Sequence, residues 1–310
     1  MNELHVVVGA GPVGSGVARI LAGLGERVRV VTRNGGGPDL PAVERVAADA
    51  SDAERLAELS TGARAVYNCA NPPYHRWPQE WPPLAASILR AAERSGAVLA
   101  TVSNLYGYGP VDGPIHEDLP LAASFSKGVV RARMWVDALA AHEAGRVRAT
   151  EIRASDYLGY GAYGSLTRLL PRIRAGKAVR VLGDPDAPHT FTYTVDTARL
   201  LVRVAADECA WGAAWHVPSN PARTAREVVT DLSRAVGVTS VTVNAVPRWG
   251  LTVGGWFVPA LKELPEVMYQ HDRPFLLDDS RARVTFGMRP APWSEIIAAT
   301  VGATPTSRAA

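Results

Sequence analysis

The sequence predicts an α/β protein with a doubly wound parallel sheet and a smaller C-terminal α/β cap. Three observations predict it. Short apolar runs alternate with helix-period segments from Leu4 to Arg153, a glycine turn joins the first run to the first helix, and the rhythm breaks after Arg153.

Leu4 to Val8 is an apolar run, Val13 to Leu24 carries apolar residues at helical spacing, and Val28 to Thr32 is β-branched. That order reads as strand, turn, helix, strand. The alternation continues with strands at Val43 to Ala48, Ala65 to Ala70, Val98 to Val102 and Ala149 to Arg153, and helices near Ala53 to Leu59, Leu84 to Arg94 and Ser126 to Ala144. Such alternation implies parallel strands joined by right-handed crossovers, with helices on both faces. From Ser155 to Pro188 the chain reads as a Gly- and Tyr-rich loop, a helix near Leu166 to Ala175 and a short strand around Val179, all inserted cap material. Phe191 to Val195 and Trp215 to Val217 read as strands returning to the sheet, with Asp196 as N-cap of a helix through Ala205. From Thr224 a helix, a strand at Val241 to Val246 and a stretch containing Trp and Pro complete the cap.

Composition narrows the class. Hydrophobic residues make up 47% of the 310 positions and charged residues 20%, typical of a folded globular chain. Net charge is only +3 and the basic residues are scattered, so nucleic acid is not an expected partner. Cys69 and Cys209 have neither disulfide-framework nor metal-site spacing. His189, His216 and His271 also lack ligand spacing and read as structural or substrate-facing, so no metal is expected. Neither a leader-like N-terminus nor a run of roughly 18 apolar residues is evident, and a cytoplasmic protein without membrane contact is expected.

Gly9-Ala10-Gly11-Pro12-Val13-Gly14 matches GxGxxG directly after a strand and at the start of a helix, the context the motif requires. Gly9 permits the tight turn, Gly11 lets backbone approach a pyrophosphate, and Gly14 lets the helix pack on the strand. Pro12 and Val13 open the helix, whose free N–H groups favour phosphate. A Rossmann-type dinucleotide site follows. The second strand ends Val31-Thr32-Arg33-Asn34, with no carboxylate before Asp39. A carboxylate there would bind the ribose hydroxyls of NAD(H), whereas Arg33 suits a 2′-phosphate, so NADP(H) is the expected cofactor. Asp49 after the third strand is expected to meet the adenine, and Ala70 and Asn71 after the fourth the ribose and pyrophosphate. The domain expectation is a dinucleotide-binding unit at 1–155 with its sheet completed by 189–218, a substrate-binding cap at 156–188 and 219–302, and a tail at 303–310.

Together with the glycine turn, Ala47-Ala48-Asp49, Tyr67-Asn68-Cys69-Ala70, Leu105-Tyr106-Gly107 and Arg153-Ala154-Ser155 resemble the extended short-chain dehydrogenase/reductases, specifically the NAD-dependent epimerase/dehydratase family. Val8 stands where the family more often has a first glycine, as in its atypical members. The resemblance implies a Ser/Thr, Tyr, Lys set. Here Val102 occupies the hydroxyl position, Lys127 the Tyr position and Arg131 the Lys position.

Lys127 and Arg131, four apart, share a helix face. Arg131 is expected to hold the nicotinamide ribose but cannot act as a base. Lys127 reads either as a general acid, if desolvation and the nearby Arg depress its pKa, or as an ordinary helix-start lysine. It is one of only three lysines, with Lys177 and Lys262, so generic positive charge does not explain it. Other proton donors expected near the crevice are Ser103, Tyr106 and Tyr108 after the fifth strand and Asp156, Tyr157 and Tyr160 after the sixth. His75 is expected at the substrate mouth, and Trp77, Trp81, Trp211, Trp215, Trp249 and Trp256 suggest aromatic cap walls or core packing.

The leading expectation is an NADP(H)-dependent oxidoreductase or epimerase/dehydratase-like enzyme acting on a small organic substrate, and the resemblance implies a homodimer. The alternatives are a redox-neutral isomerase or cyclase on the same scaffold and a non-catalytic NADP(H)-sensing regulator.

Overall fold

A seven-stranded parallel sheet runs through the molecule in the order β11-β6-β5-β4-β1-β2-β3, from Ala214–His216 (β11), Arg148–Ala154 (β6), Val98–Asn104 (β5), Ala63–Asn68 (β4), Leu4–Val8 (β1) and Arg27–Thr32 (β2) to Val43–Ala47 (β3). The structure is a computed structural model that describes residues 2–246 and 259–302, apart from the side chains of 259–264. All five β1 residues are buried, as expected where helices cover both faces and inside–outside alternation is not required.

One face packs on α1 (Pro12–Gly23) and α6 (Thr194–Ala206) through Val17, Leu21, Ile152, Leu200 and Leu201. The other packs on α2 (Ala53–Leu59), α3 (Trp77–Ser95) and α4 (Ser126–Glu143) through Leu56, Ile88, Leu99 and Ala141. Strand order reverses between β1 and β4, and the chain leaves both strands at the same edge of the sheet. That switch point opens the crevice in which such folds bind ligands.

A separate apolar cluster of Ile173, Val179, Val228, Leu232 and Ile296 forms the cap. It joins α5 (Leu170–Arg174), β8 (Val179–Val181), α7 (Ala225–Ala235), β13 (Val243–Ala245) and α8 (Trp293–Gly302). Of the stretch 189–218, only β11 enters the main sheet. β7 (Asp156–Leu158) pairs with β10 (Phe191–Tyr193), and β9 (Pro188–His189) pairs with β12 (Arg223–Thr224), in two small ribbons.

Several local expectations change. α3 begins at Trp77 rather than near Leu84, because proline is tolerated in a first helical turn and the buried Trp77 and Trp81 carry the helix on through Pro82 and Pro83. Asp196 is not an N-cap but sits inside the first turn of α6, where it accepts from the Ala291 amide at 2.8 Å and pairs with Arg199. Trp215 packs in the core at the edge strand and Trp211 packs against it, while Trp77 and Trp81 belong to α3, so these four do not wall the cap. Trp249 and Trp256 lie outside the described residues. No described helix is long and apolar enough to cross a membrane.

Candidate active site

The glycine turn lies at the β1/β4 switch point. Gly9 has φ +98°, a left-handed conformation, and a Cβ there would stand 2.7 Å from the Cys69 carbonyl oxygen. A Cβ on Gly14 would stand 2.0 Å from the Gly9 carbonyl oxygen, so α1 presses directly on the turn. Gly11, the N-cap of α1, differs: a Cβ there would meet no atom within 4 Å. Pro12 opens the helix, Val13 is buried beneath it, and no acidic residue stands in the first turn to neutralise its positive end. Two glycines are therefore required by the protein's own packing, while the third leaves space outside it. That is the cradle a pyrophosphate fits.

Arg33 is exposed at the end of β2. Asp49 lies near it, but its Oδ1 accepts from the Ser51 amide at 2.9 Å and hydroxyl at 2.8 Å. Those bonds, aided by Arg33, hold the Asp49 carboxyl below the usual carboxylate range. Ala70 is half-buried against the sheet and Asn71 is exposed at the mouth.

The other end of the crevice is built from segments far apart in sequence. Lys127 at the start of α4 is 2% exposed. Its Nζ lies 4.3 Å from the centre of the Tyr74 ring and 4.0 Å from Glu266 Oε2. The Tyr74 hydroxyl donates to the Tyr106 hydroxyl at 3.4 Å. Burial, with Tyr74 and Asp156 adding to it, pushes the Tyr106 phenol well above its ordinary range.

Arg131 is buried on the same face of α4 as Lys127. Its guanidinium lies 4.4 Å and 4.5 Å from the Trp77 and Trp81 rings and donates from Nη1 to the Val102 carbonyl. Among the described residues its Nε has no hydrogen-bond partner, although it is buried. Two indole faces replace the missing acceptor with a cation–π contact, and burial pulls the guanidinium down to about 10.

Beneath these residues lies a buried ionic layer. Glu151 and Arg153 alternate on β6, each less than 5% exposed, and join at 2.8 Å. Arg153 donates to the Tyr108 hydroxyl, which also bonds His216 Nε2 at 2.8 Å. Ser103 turns to Glu151, whose carboxyl is raised by burial against the pull of Arg153, Arg131 and Ser103. Ser103 and Tyr108 are thus held in the layer. Tyr157 lies with its hydroxyl buried near Thr197 and Arg131, and burial raises its phenol; Tyr160 is 57% exposed.

At the cap side, His189 Nδ1 donates to the Gln270 carbonyl at 3.0 Å, and its Nε2 faces the Ser155 hydroxyl at 3.4 Å and Asp156 at 3.6 Å. Its ring stacks on His271, and burial pulls it down to about 4. His189 lines a small cavity with Leu166, Val181, Asp184 and Phe191. His75 is exposed beside Tyr74. Among the described residues no group of three or more His, Cys, Asp or Glu is placed to hold a metal ion.

Tyr74, Glu151 and Arg153 were missed as members of this assembly. A signal for the ionic pair existed: two charges at alternate positions in a strand that a parallel sheet buries on both faces. For Tyr74 there was none beyond its place in the loop after β4.

A dinucleotide turn at a switch point, in a doubly wound sheet with a separate cap, defines a nicotinamide-cofactor enzyme of the oxidoreductase type. Residues 5–212 match the NAD dependent epimerase/dehydratase family, and the chain belongs to it. Solved structures share the fold at low identity. A dTDP-glucose 4,6-dehydratase from Bacillus anthracis in complex with NAD is 17% identical, with a TM-score of 0.80 over 97% of this chain and 96% of that one. A UDP-glucose 4-epimerase with UDP-glucose from Thermotoga maritima is 18% identical, with a TM-score of 0.78 over 96% and 97%. The Bordetella bronchiseptica enzyme WbmH, in complex with NAD+, is 20% identical, with a TM-score of 0.75 over 97% and 98%. No curated protein matches the sequence.

Proposed function

We propose that this chain is an NADP(H)-dependent enzyme acting on a small organic carbonyl, alcohol or activated alkene, of the sugar or secondary-metabolite type. The observation that carries the reading is the turn whose Gly11 faces open space at an uncompensated helix N-terminus. Gly9, Gly11, Pro12, Val13 and Gly14 would hold the pyrophosphate, and Asp49, Ala70 and Asn71 border the same crevice. Arg33 favours a 2′-phosphate, because its planar fork pairs bidentately with phosphate oxygens. When bound, the nicotinamide gives or takes the hydride. Lys127, Tyr106 and Tyr74 stand at the far end of the crevice as the groups available to manage the proton. The sugar nucleotide carried by the Thermotoga maritima epimerase makes such compounds the first substrates to try.

The test is direct. Purified protein should gain thermal stability with NADPH and NADP+, and less with NADH and NAD+; no response to any of the four ends the reading. A homodimer paired through α3 and α4 is proposed with it, supported by Val129 and Val136, each 48% exposed on α4, and a monomeric mass in solution would refute it. We place the protein in the cytoplasm.

A second reading is redox-neutral isomerisation or cyclisation, or cofactor sensing without catalysis. The burial of Lys127 and Arg131 favours it, since neither meets solvent directly. NADPH oxidation in step with product formation would exclude it.

A further inference from the structure

We propose that Tyr74 is the proton-transferring residue of this site, and that Lys127 acts through it as the cation that stabilises the Tyr74 phenolate. The proposal rests on the reading above and names its acid–base group.

The chain leaves β4 at Cys69, against the glycine turn, and five residues later presents Tyr74 at the same edge of the sheet. Tyr74 is partly exposed, whereas the Lys127 side chain beneath it is 3% exposed. A molecule entering the crevice therefore meets the phenol before the ammonium. The other hydroxyls are placed for other work. Ser103 turns to Glu151, Tyr108 is held between Arg153 and His216, and the Tyr157 hydroxyl is buried.

The surroundings suit a phenol that must lose and regain a proton. Lys127 Nζ, 4.3 Å from the ring centre, favours the phenolate electrostatically. Tyr106 accepts the Tyr74 proton in the resting hydrogen bond. Because burial keeps Tyr106 itself protonated, its O–H can turn and donate to Tyr74 once Tyr74 has ionised. The Tyr74 ring is fixed edge-on to Trp77 at 5.2 Å and to Tyr106 at 6.5 Å between ring centres. The described charged and titratable groups around the pair include Lys127 and Arg131 from α4, Glu266 at 4.0 Å from the Lys127 Nζ, Asp156 from β7 and Tyr269, the last two and Arg131 acting on Tyr106. Glu266 draws on the same cation.

The proton step balances simply. In reduction the substrate oxygen, which would become basic as its carbon accepted the hydride a bound NADPH would supply, takes the Tyr74 proton. The O–H electron pair stays on the phenolate, whose ring centre lies 4.3 Å from the Lys127 Nζ. In oxidation the phenolate takes the alcohol proton by the reverse path.

The experiment uses the full chain labelled with ¹³C at the tyrosine ζ carbon, with the Tyr74 resonance assigned by its loss in Tyr74→Phe. Tyr74 should titrate about one to two pH units below the ordinary value near 10. Lys127→Gln should raise that midpoint by about one unit or more, and Lys127→Arg should keep it low. A Tyr74 midpoint at or above the ordinary value, or one that Lys127→Gln leaves in place, overturns the proposal. If Lys127→Gln does not fold, the wild-type midpoint and the Lys127→Arg midpoint decide it alone. NADPH thermal shifts on the same samples separate the two readings: normal cofactor binding with an ordinary Tyr74 sinks only this one, and a lowered Tyr74 without cofactor binding sinks only the broader one.

Discussion

The two ends of the crevice are made in opposite ways. The cofactor end is six consecutive residues, Gly9 to Gly14, whose backbone does the work, so the geometry is fixed by where Cβ atoms cannot fit. The far end draws Tyr74, Tyr106, Lys127 and Arg131 from the β4–α3 loop, the turn after β5 and the start of α4, and fixes them by ring contacts and burial. A local turn tolerates change elsewhere in the chain. An assembly of separated side chains depends on every element that carries one.

The sharpest way to break this contrast is Gly14→Val. Even a Cβ at that position stands 2.0 Å from the Gly9 carbonyl oxygen, so a loss exceeding about 4 kcal/mol is expected, with little folded protein by circular dichroism. Glu151→Ala comes next. It leaves Arg153 buried without its partner and removes a charge that favours Arg131, and about 3–5 kcal/mol should vanish from urea unfolding.

Acid should weaken the cap side of the crevice. His189 falls to about 4 in the folded state from an ordinary 6.5, so between those values the unfolded chain binds the extra proton. Its contribution is complete above pH 6.5 and is lost as pH falls toward 4, by on the order of 3 kcal/mol at most. His189→Phe should flatten that part of the stability profile, and an unchanged acid slope would refute the assignment.

The smallest effects separate binding from folding. Gly11→Ala meets open space, so stability should stay within about 0.5 kcal/mol while NADPH affinity measured by fluorescence falls about tenfold or more. Arg33→Ala should leave the melting temperature in place and reduce the preference for NADPH over NADH by about tenfold. A Gly11→Ala protein that melts early but still binds would reverse the comparison, making the turn structural and the space beside it incidental.

How much was legible follows the same division. β1, α1 and β2 were readable because each is decided by neighbours within a few residues: an unbroken apolar run, a helical period and β-branching. The start of α3 was not, since the burial of Trp77 and Trp81 against Arg131 outweighs the local warning given by Pro78, Pro82 and Pro83. Asp196 looked like a cap because its residue type favours caps, yet its partner Ala291 lies 95 positions away. Lys127 stood out as one of only three lysines, but whether it faced solvent or lay under an aromatic ring could not be read from its neighbours.

By itself the sequence determined the doubly wound sheet and the glycine turn that joins its first strand to its first helix. Those are properties of local spacing and residue identity, which backbone geometry translates directly. Only the tertiary structure decided that Arg131 lies between two indoles, that Glu151 and Arg153 form a buried ionic layer, and that Tyr74 covers Lys127. Each depends on side chains from different elements meeting in a low-dielectric interior, where partners far apart in the chain set both charge and orientation.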